Sequence, residues 1–200
     1  MNQNFSLYVH VPFCEKKCGY CSFYSVTEKN KINSWLENLA LEAKNYKREP
    51  KIKIKTLYIG GGTPTVLKIS QWRELMKILN ENFDLANLIE ATTEANPNSL
   101  TPEHLEFFRE NNFTRISLGV QSLNDNELKI LGRFHDSKKA FEAMELVKNS
   151  GLLLNCDLIF AIPGYYLFLF SLYLKYYLFL QFYLLILFPI IFLLLQLLKE

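Results

Sequence analysis

Cys14, Cys18 and Cys21 fall within eight residues, in the order CEKKCGYC. Thiols this close together would close disulfide loops too small to be useful, but soft thiolates at short spacing wrap a compact metal centre well. Three of them are one short of the full set an iron-sulfur cube takes, so one iron would stay open to another ligand. A zinc site is the alternative. Structural zinc takes four protein ligands, however, and no fourth Cys or His follows at finger spacing, His10 being the one nearby candidate. Spacing alone leaves both readings standing. The fourth cysteine, Cys156, is far along the chain.

Other residues are candidates by type and place. GGGTPT, Gly60 to Thr65, follows an apolar run with residues lacking Cβ, which lets a ligand approach the backbone and meet its N–H and C=O groups. A tight turn before a helix explains the same glycines, and no Lys follows to make a nucleotide P-loop. Glu94 in TTEANP and Arg133 in LGRFH read either as ligand contacts or as solvated charges. Gln121 in SLGVQS and Asp157 in NCDLIF lie in otherwise apolar strands, where an uncommitted polar group is unfavourable unless it finds a partner. Ligand contact is a reasonable use of both.

Positioning these residues requires alternating strands and helices. Leu7–Val11, Thr56–Ile59, Ile89–Ala95, Arg115–Val120 and Leu152–Ile162 read as strands, and amphipathic helical stretches separate them, the signature of βα units around a parallel sheet. Ile32, Trp35, Leu36, Leu39, Ala40 and Ala43 recur at helical spacing, as do Trp72, Leu75, Met76 and Leu79 after Ser70 as N-cap. Thr101-Pro102 supplies a cap and a first-turn proline for a helix carrying Leu105 and Phe108. Two short helices follow strand four, the later running from Asp136 as N-cap to Gly151 as stop. In parallel α/β folds chemistry collects at the C-terminal strand ends. Each motif sits at or near one, so all are expected on one face.

A net charge of +2 and pI near 8.2 argue against a surface dedicated to nucleic acid. The first residues contain no basic stretch followed by a long apolar run, so no targeting signal is readable and a cytoplasmic setting is the expectation. Composition breaks at Gly164. Of the chain's 22 Lys/Arg and 20 Asp/Glu, residues 165–200 hold only Lys175, Lys199 and Glu200, while 26 of those 36 positions are Leu, Phe or Tyr. That alphabet is of low complexity. Two domains are therefore expected, a core over 1–164 and an apolar tail over 165–200.

The blocks YVHVPFCEKKCGYCSF, YIGGGTPT, EANP, RISLGVQS, LGRFH and DLIFAIPG occur in that order over residues 5–164. In these the sequence resembles the radical S-adenosylmethionine (SAM) superfamily, and within it the coproporphyrinogen dehydrogenase and HemW group. The resemblance implies an α/β fold, a partial (βα) barrel in which Cys14, Cys18 and Cys21 ligate a [4Fe-4S] cluster and SAM chelates the fourth iron. It implies that Tyr8 and Tyr20 pack around SAM and that Gly61, Gly62 and Thr63 hold its methionine moiety. Glu94, Gln121, Arg133 and Asp157 match polar contacts to the rest of SAM. The chemistry implied is one-electron cleavage of SAM to a 5′-deoxyadenosyl radical, with flavodoxin or ferredoxin as electron donor.

Within the group a haem chaperone like HemW, with haem as a further ligand, is favoured over a porphyrinogen-decarboxylating oxidase. The chain starts only a few residues before Tyr8, and Phe23 stands where the oxidase resembles CxxxCxxCxC. The LGRFHDSKKAFEA stretch also resembles the HemW branch. After the IPG turn the family continues with a further βα unit and a C-terminal domain, whereas Tyr165 begins something different. The barrel is expected to be incomplete and this chain inactive, its tail the product of out-of-frame translation. A membrane segment over Tyr176–Leu195 is the alternative, being long enough to span a bilayer.

Overall fold

Apolar residues fall at alternate positions along much of each strand, and that alternation decides which way the sheet faces. The computed structural model describes residues 5–162. Its order is β1 (Phe5–Val11), α1 (Ile32–Lys44), β2 (Ile52–Gly61), α2 (Ile69–Asn82), β3 (Phe83–Asp84), β4 (Glu90–Ala95), α3 (Pro102–Glu110), β5 (Arg115–Gln121), α4 (Asp125–Ile130), α5 (Ser137–Ser150) and β6 (Leu153–Leu158). The sheet runs β1-β2-β4-β5-β6 with every pairing parallel, and β3 adds two residues beside the start of β2. Parallel neighbours need long crossovers, and a helix fills each of them. The chain divides into two units, Met1–Leu158 and Ile159–Glu200. The apolar tail over 165–200, its boundary at Gly164 and the span over Tyr176–Leu195 lie outside the described residues.

Val9, Val11, Leu57, Ile59, Ala91, Ile116, Leu118 and Val120 are buried on the helix-covered face of the sheet. Trp72, Leu75 and Leu79 of α2, Leu105 and Phe108 of α3, and Ala140, Ala143 and Val147 of α5 complete that core. Burying each Leu- or Phe-sized side chain stabilises by about 1.5–3 kcal/mol. Trp72 is fully buried and meets Phe108 edge-on with ring centroids 4.8 Å apart. The small residues of α5 bring that helix close to the sheet. The opposite parity carries Ser6, Tyr8 and His10 on β1, Thr56 and Tyr58 on β2, Thr92 and Glu94 on β4, Ser117 and Gln121 on β5, and Asn155 and Asp157 on β6. This face of the partial barrel is polar, and its row Glu94, Ser117, Asn155 is in register across three strands.

The expected caps of α3 and α5 are present: Thr101 Oγ1 accepts from His104 N–H at 3.3 Å and Asp136 Oδ1 from Lys139 N–H at 2.7 Å. Gly151 ends α5 in the left-handed conformation, φ 82°. Three expectations need correction. α2 starts at Ile69, with Lys68 as its N-cap, and Ser70 lies inside the first turn; Ile69 packs on the core, and Gln71 Oε1 accepts from Lys68 N–H at 3.0 Å. β2 begins at Ile52, because Ile52 and Ile54 alternate with lysines at period two, and β3 pairs with that early part. β6 stops at Leu158 short of Ile162, where Ala161 takes a positive φ of 59°. Among the described residues no helix is long and apolar enough to cross a membrane.

Candidate functional site

The cysteine loop leaves the C-terminal end of β1 and is stitched to the glycine turn after β2. Gly62 N–H donates to Val11 O at 2.8 Å and Thr63 N–H to Phe13 O at 2.7 Å, extending the β1–β2 ladder past the ordinary strand end. On the other side, Cys14 N–H donates to Val26 O and Val26 N–H to Pro12 O, which close the loop. No room exists for side chains at the crossing. A Cβ on Gly62 would lie 2.6 Å from Phe13 O, and one on Gly61, where φ is 114°, would fall on the His10 ring. That ring is pinned, Nδ1 to Tyr8 Oη at 3.0 Å and Nε2 to Tyr24 O at 3.0 Å. His10 is thus engaged with tyrosines.

Two donors reach the sulfurs. Thr63 Oγ1 lies 3.6 Å from Cys14 Sγ, and Arg133 Nη1 lies 3.6 Å from Cys18 Sγ and 3.3 Å from Tyr20 Oη. Arg133 Nη2 donates to Gly119 O at 2.7 Å, while its Nε is buried without a partner. All four cysteines are free thiols. Among the described residues no three His, Cys, Asp or Glu side chains converge closely enough to share one ion. A cubane spaces its thiolates more widely than a single ion does, and hydrogen bonds and positive charge near the sulfurs suit its anionic ligands. Beside Gly19, between the second and third cysteines, a Cβ would meet no atom within 4 Å, so the loop has open space on that side. The donor set and its surroundings fit a three-thiolate cluster.

Glu94 is held at the end of β4 by two donors: Tyr58 Oη to Oε1 at 2.9 Å and Gly61 N–H to Oε2 at 3.0 Å. Burial first, then the Glu94 and Asp157 carboxylates, push the Tyr58 phenol well above its usual range, so it remains a donor at any physiological pH. Burial and the Glu94 charge raise Tyr8 in the same way, and burial raises Tyr20. Asp157 is held by Ser117 Oγ at 3.1 Å and Asn155 Nδ2 at 3.0 Å. Gln121 ends β5 with a positive φ of 67°, and its Nε2 lies over Gly119, on the side that Arg133 also approaches.

The structure therefore brings Cys14, Cys18, Tyr20, Gly61, Gly62, Thr63, Glu94, Gln121 and Arg133 to one end of the sheet, with Tyr8 and Asp157 on its polar face. Tyr58, Ser117 and Asn155, which hold the carboxylates, carry no motif of their own; the sequence signal for them is parity, since each is two residues from, or in register with, one of the candidate residues.

A model of the radical SAM superfamily matches residues 8–167. The chain belongs to the radical SAM superfamily. This radical SAM chain is 39% identical over 161 residues to the heme chaperone HemW of Lactococcus lactis, covering 80% of itself and 42% of that protein. Against HemW of Bacillus subtilis it is 36% identical, covering 80% and 43% respectively. It therefore spans less than half the length of these relatives. Among solved structures, coproporphyrinogen III oxidase (HemN) from Escherichia coli superposes with a TM-score of 0.72 at 33% identity, over 79% of this chain and 37% of that one. The superposition bears out the parallel partial barrel.

Proposed function

We propose that this radical SAM chain holds a [4Fe-4S] cluster through Cys14, Cys18 and Cys21, binds SAM at the open iron, and forms the cofactor-binding part of a HemW-like haem chaperone. The observation that supports this reading is the stitching of the cysteine loop to the glycine turn, with Cys14 Sγ near Thr63 and Cys18 Sγ near Arg133. When bound, the cluster supplies the single electron that cleavage of SAM requires. The chain's residues bind and orient. SAM offers an ammonium, a carboxylate and ribose hydroxyls. Arg133, a permanent cation at the site, suits the carboxylate, and the acceptor-only carboxylates of Glu94 and Asp157 suit ammonium or hydroxyl donors. Tyr58, Ser117 and Asn155 fix those carboxylates in place, so little side-chain freedom is lost on binding. Tyr8 and Tyr20 are more than a third exposed and offer apolar rings at the mouth of the site. Gly61 and Gly62 keep the turn free of side chains.

The haem role rests on the HemW relatives and on Phe23 in place of a further cysteine; haem or a porphyrinogen is the partner, with flavodoxin or ferredoxin as electron donor. Anaerobic reconstitution of the chain with iron and sulfide tests the first half: the visible spectrum is expected to change on adding SAM. Zinc uptake with no iron-dependent signal would overturn it. Joining residues 1–162 to the remainder of the Lactococcus lactis relative tests the second half. Haem binding without conversion of coproporphyrinogen III is expected, and efficient conversion would favour the oxidase reading.

A further inference from the structure

Gln121 occupies a backbone conformation that its type does not favour. Ser122 N–H donates to Val120 O at 2.8 Å, an i→i+2 bond that closes a three-residue turn around Gln121 at φ 67°. This is the rare, strained form of the γ-turn, and it persists only where surrounding contacts over-determine it. β5 also changes register against β6 between Leu118 and Gln121, so the turn is where regular pairing breaks off.

The contacts that hold it come from one segment. Arg133 Nη2 donates to Gly119 O, and His135 Nε2 donates to Val120 O at 2.9 Å, the same carbonyl that Ser122 N–H uses. Ser122 Oγ is itself held by Glu127 and accepts from Asn124 N–H at 3.0 Å, which fixes the far side of the turn. His135 is 3% exposed, and its Nδ1 has no hydrogen-bond partner. The hydrogen bond of this buried imidazole is the one it makes to the carbonyl that closes the turn. The turn in turn sets Gln121 Nε2 above Gly119: a Cβ there would lie 3.0 Å from Gln121 Nε2 and 3.6 Å from Arg133 Nη2.

We propose that His135 is a positioning residue for the SAM site, its Nε2–H on the Val120 carbonyl holding the γ-turn that aims Gln121 at the ligand beside Arg133. The inference rests on the reading of this face as the SAM site and adds to it a residue that touches no ligand. Trapping a strained backbone conformation before binding removes a reorganisation that binding would otherwise have to drive.

The test uses the full chain reconstituted with its cluster, and SAM dissociation constants measured by equilibrium dialysis. Losing one buried hydrogen bond to the turn is expected to weaken SAM binding about tenfold in His135→Leu. His135→Gln, whose amide nitrogen reaches the place of Nε2, is expected to stay within about threefold. In a Gln121→Ala background His135→Leu should have almost no further effect, because the position it maintains is gone. Hydrogen exchange of the Ser122 amide in the metal-free chain gives a second reading: about tenfold faster in His135→Leu and near wild type in His135→Gln. Equal losses with and without Gln121, or an unchanged Ser122 amide, would overturn the positioning role while leaving the SAM site intact. Failure of the wild-type, cluster-loaded chain to bind SAM would instead overturn the reading of the site, and the proposal with it.

Discussion

Replacing Gly61 by Ala separates backbone strain from crowding at the junction between cysteine loop and glycine turn. At φ 114° an L-residue is strained by about 1–2 kcal/mol. The new Cβ would also lie 3.0 Å from His10 Cγ and nearer still to other ring atoms. His10 cannot simply swing away, since both ring nitrogens are bonded, to Tyr8 and Tyr24. Overpacking of that kind costs about 1–3 kcal/mol, which brings the expected loss to about 3 kcal/mol. For a chain of this size that lowers the melting temperature by about 6–12 °C. Two other glycines serve as controls. Gly151→Ala meets no atom within 4 Å but sits at φ 82°, so it should show strain alone, about 1 kcal/mol. Gly19 has open space and no positive φ, so Gly19→Ala should be neutral or stabilising by up to about 1 kcal/mol. The assay is thermal denaturation of the metal-free chain followed by far-ultraviolet circular dichroism. If Gly61→Ala melts no lower than Gly151→Ala, His10 is free to move and the account of a crowded, pinned junction is wrong.

Replacing Cys14, Cys18 or Cys21 singly by Ala should abolish iron retention after reconstitution, while Cys156→Ala should retain it; equal iron losses at all four positions would contradict the three-thiolate assignment. Asp136→Ala should destabilise the chain by about 1 kcal/mol through loss of the α5 cap, read as a lower melting temperature, and Asp136→Asn should restore most of it. Burial holds His135 below its ordinary value of 6.5, with Arg133 lowering it further and the Val120 bond and Asp136 opposing. Below pH 6.5 the unfolded chain therefore binds a proton that the folded chain refuses. Stability should fall as pH drops from 6.5 towards the depressed value, and His135→Gln should lack that component in urea titrations at several pH values. A pH dependence identical in the two proteins would show that His135 titrates normally.

Short-range chemistry in this chain was legible because it is carried by neighbours in sequence. The thiol spacing, the helix caps at Thr101 and Asp136, the stop at Gly151 and the helical faces around Trp72 and Phe108 each depend on residues within a few positions of one another. Parallel order was legible too, since βα alternation leaves few other ways to bury one face of each strand. The start of α2 was misjudged because a good capping residue, Ser70, lost to the burial of Ile69, which is a tertiary effect. β3 is illegible because a two-residue strand carries no period of its own, and the early part of β2 is obscured because its alternation of Ile52 and Ile54 with lysines changes phase before Leu57 and Ile59.

What only the tertiary structure decided is which polar residues meet. Sequence placed Glu94 at a strand end and Asp157 within a strand, but their holders, Tyr58 on β2 and Ser117 on β5, lie 36 and 40 residues away along the chain and are brought into place by parallel register. The approach of Arg133 to Cys18 joins residues 115 positions apart. The γ-turn at Gln121 was invisible for a further reason: nothing in the string RISLGVQS announces a left-handed glutamine. Local preference argues against it, and the conformation is held by residues distant in sequence, buried His135 among them, which hydrogen-bond the Gly119 and Val120 carbonyls. Residue type and spacing determined what chemistry this chain can carry; the pairing of distant strands determined which side chains are held still enough to carry it.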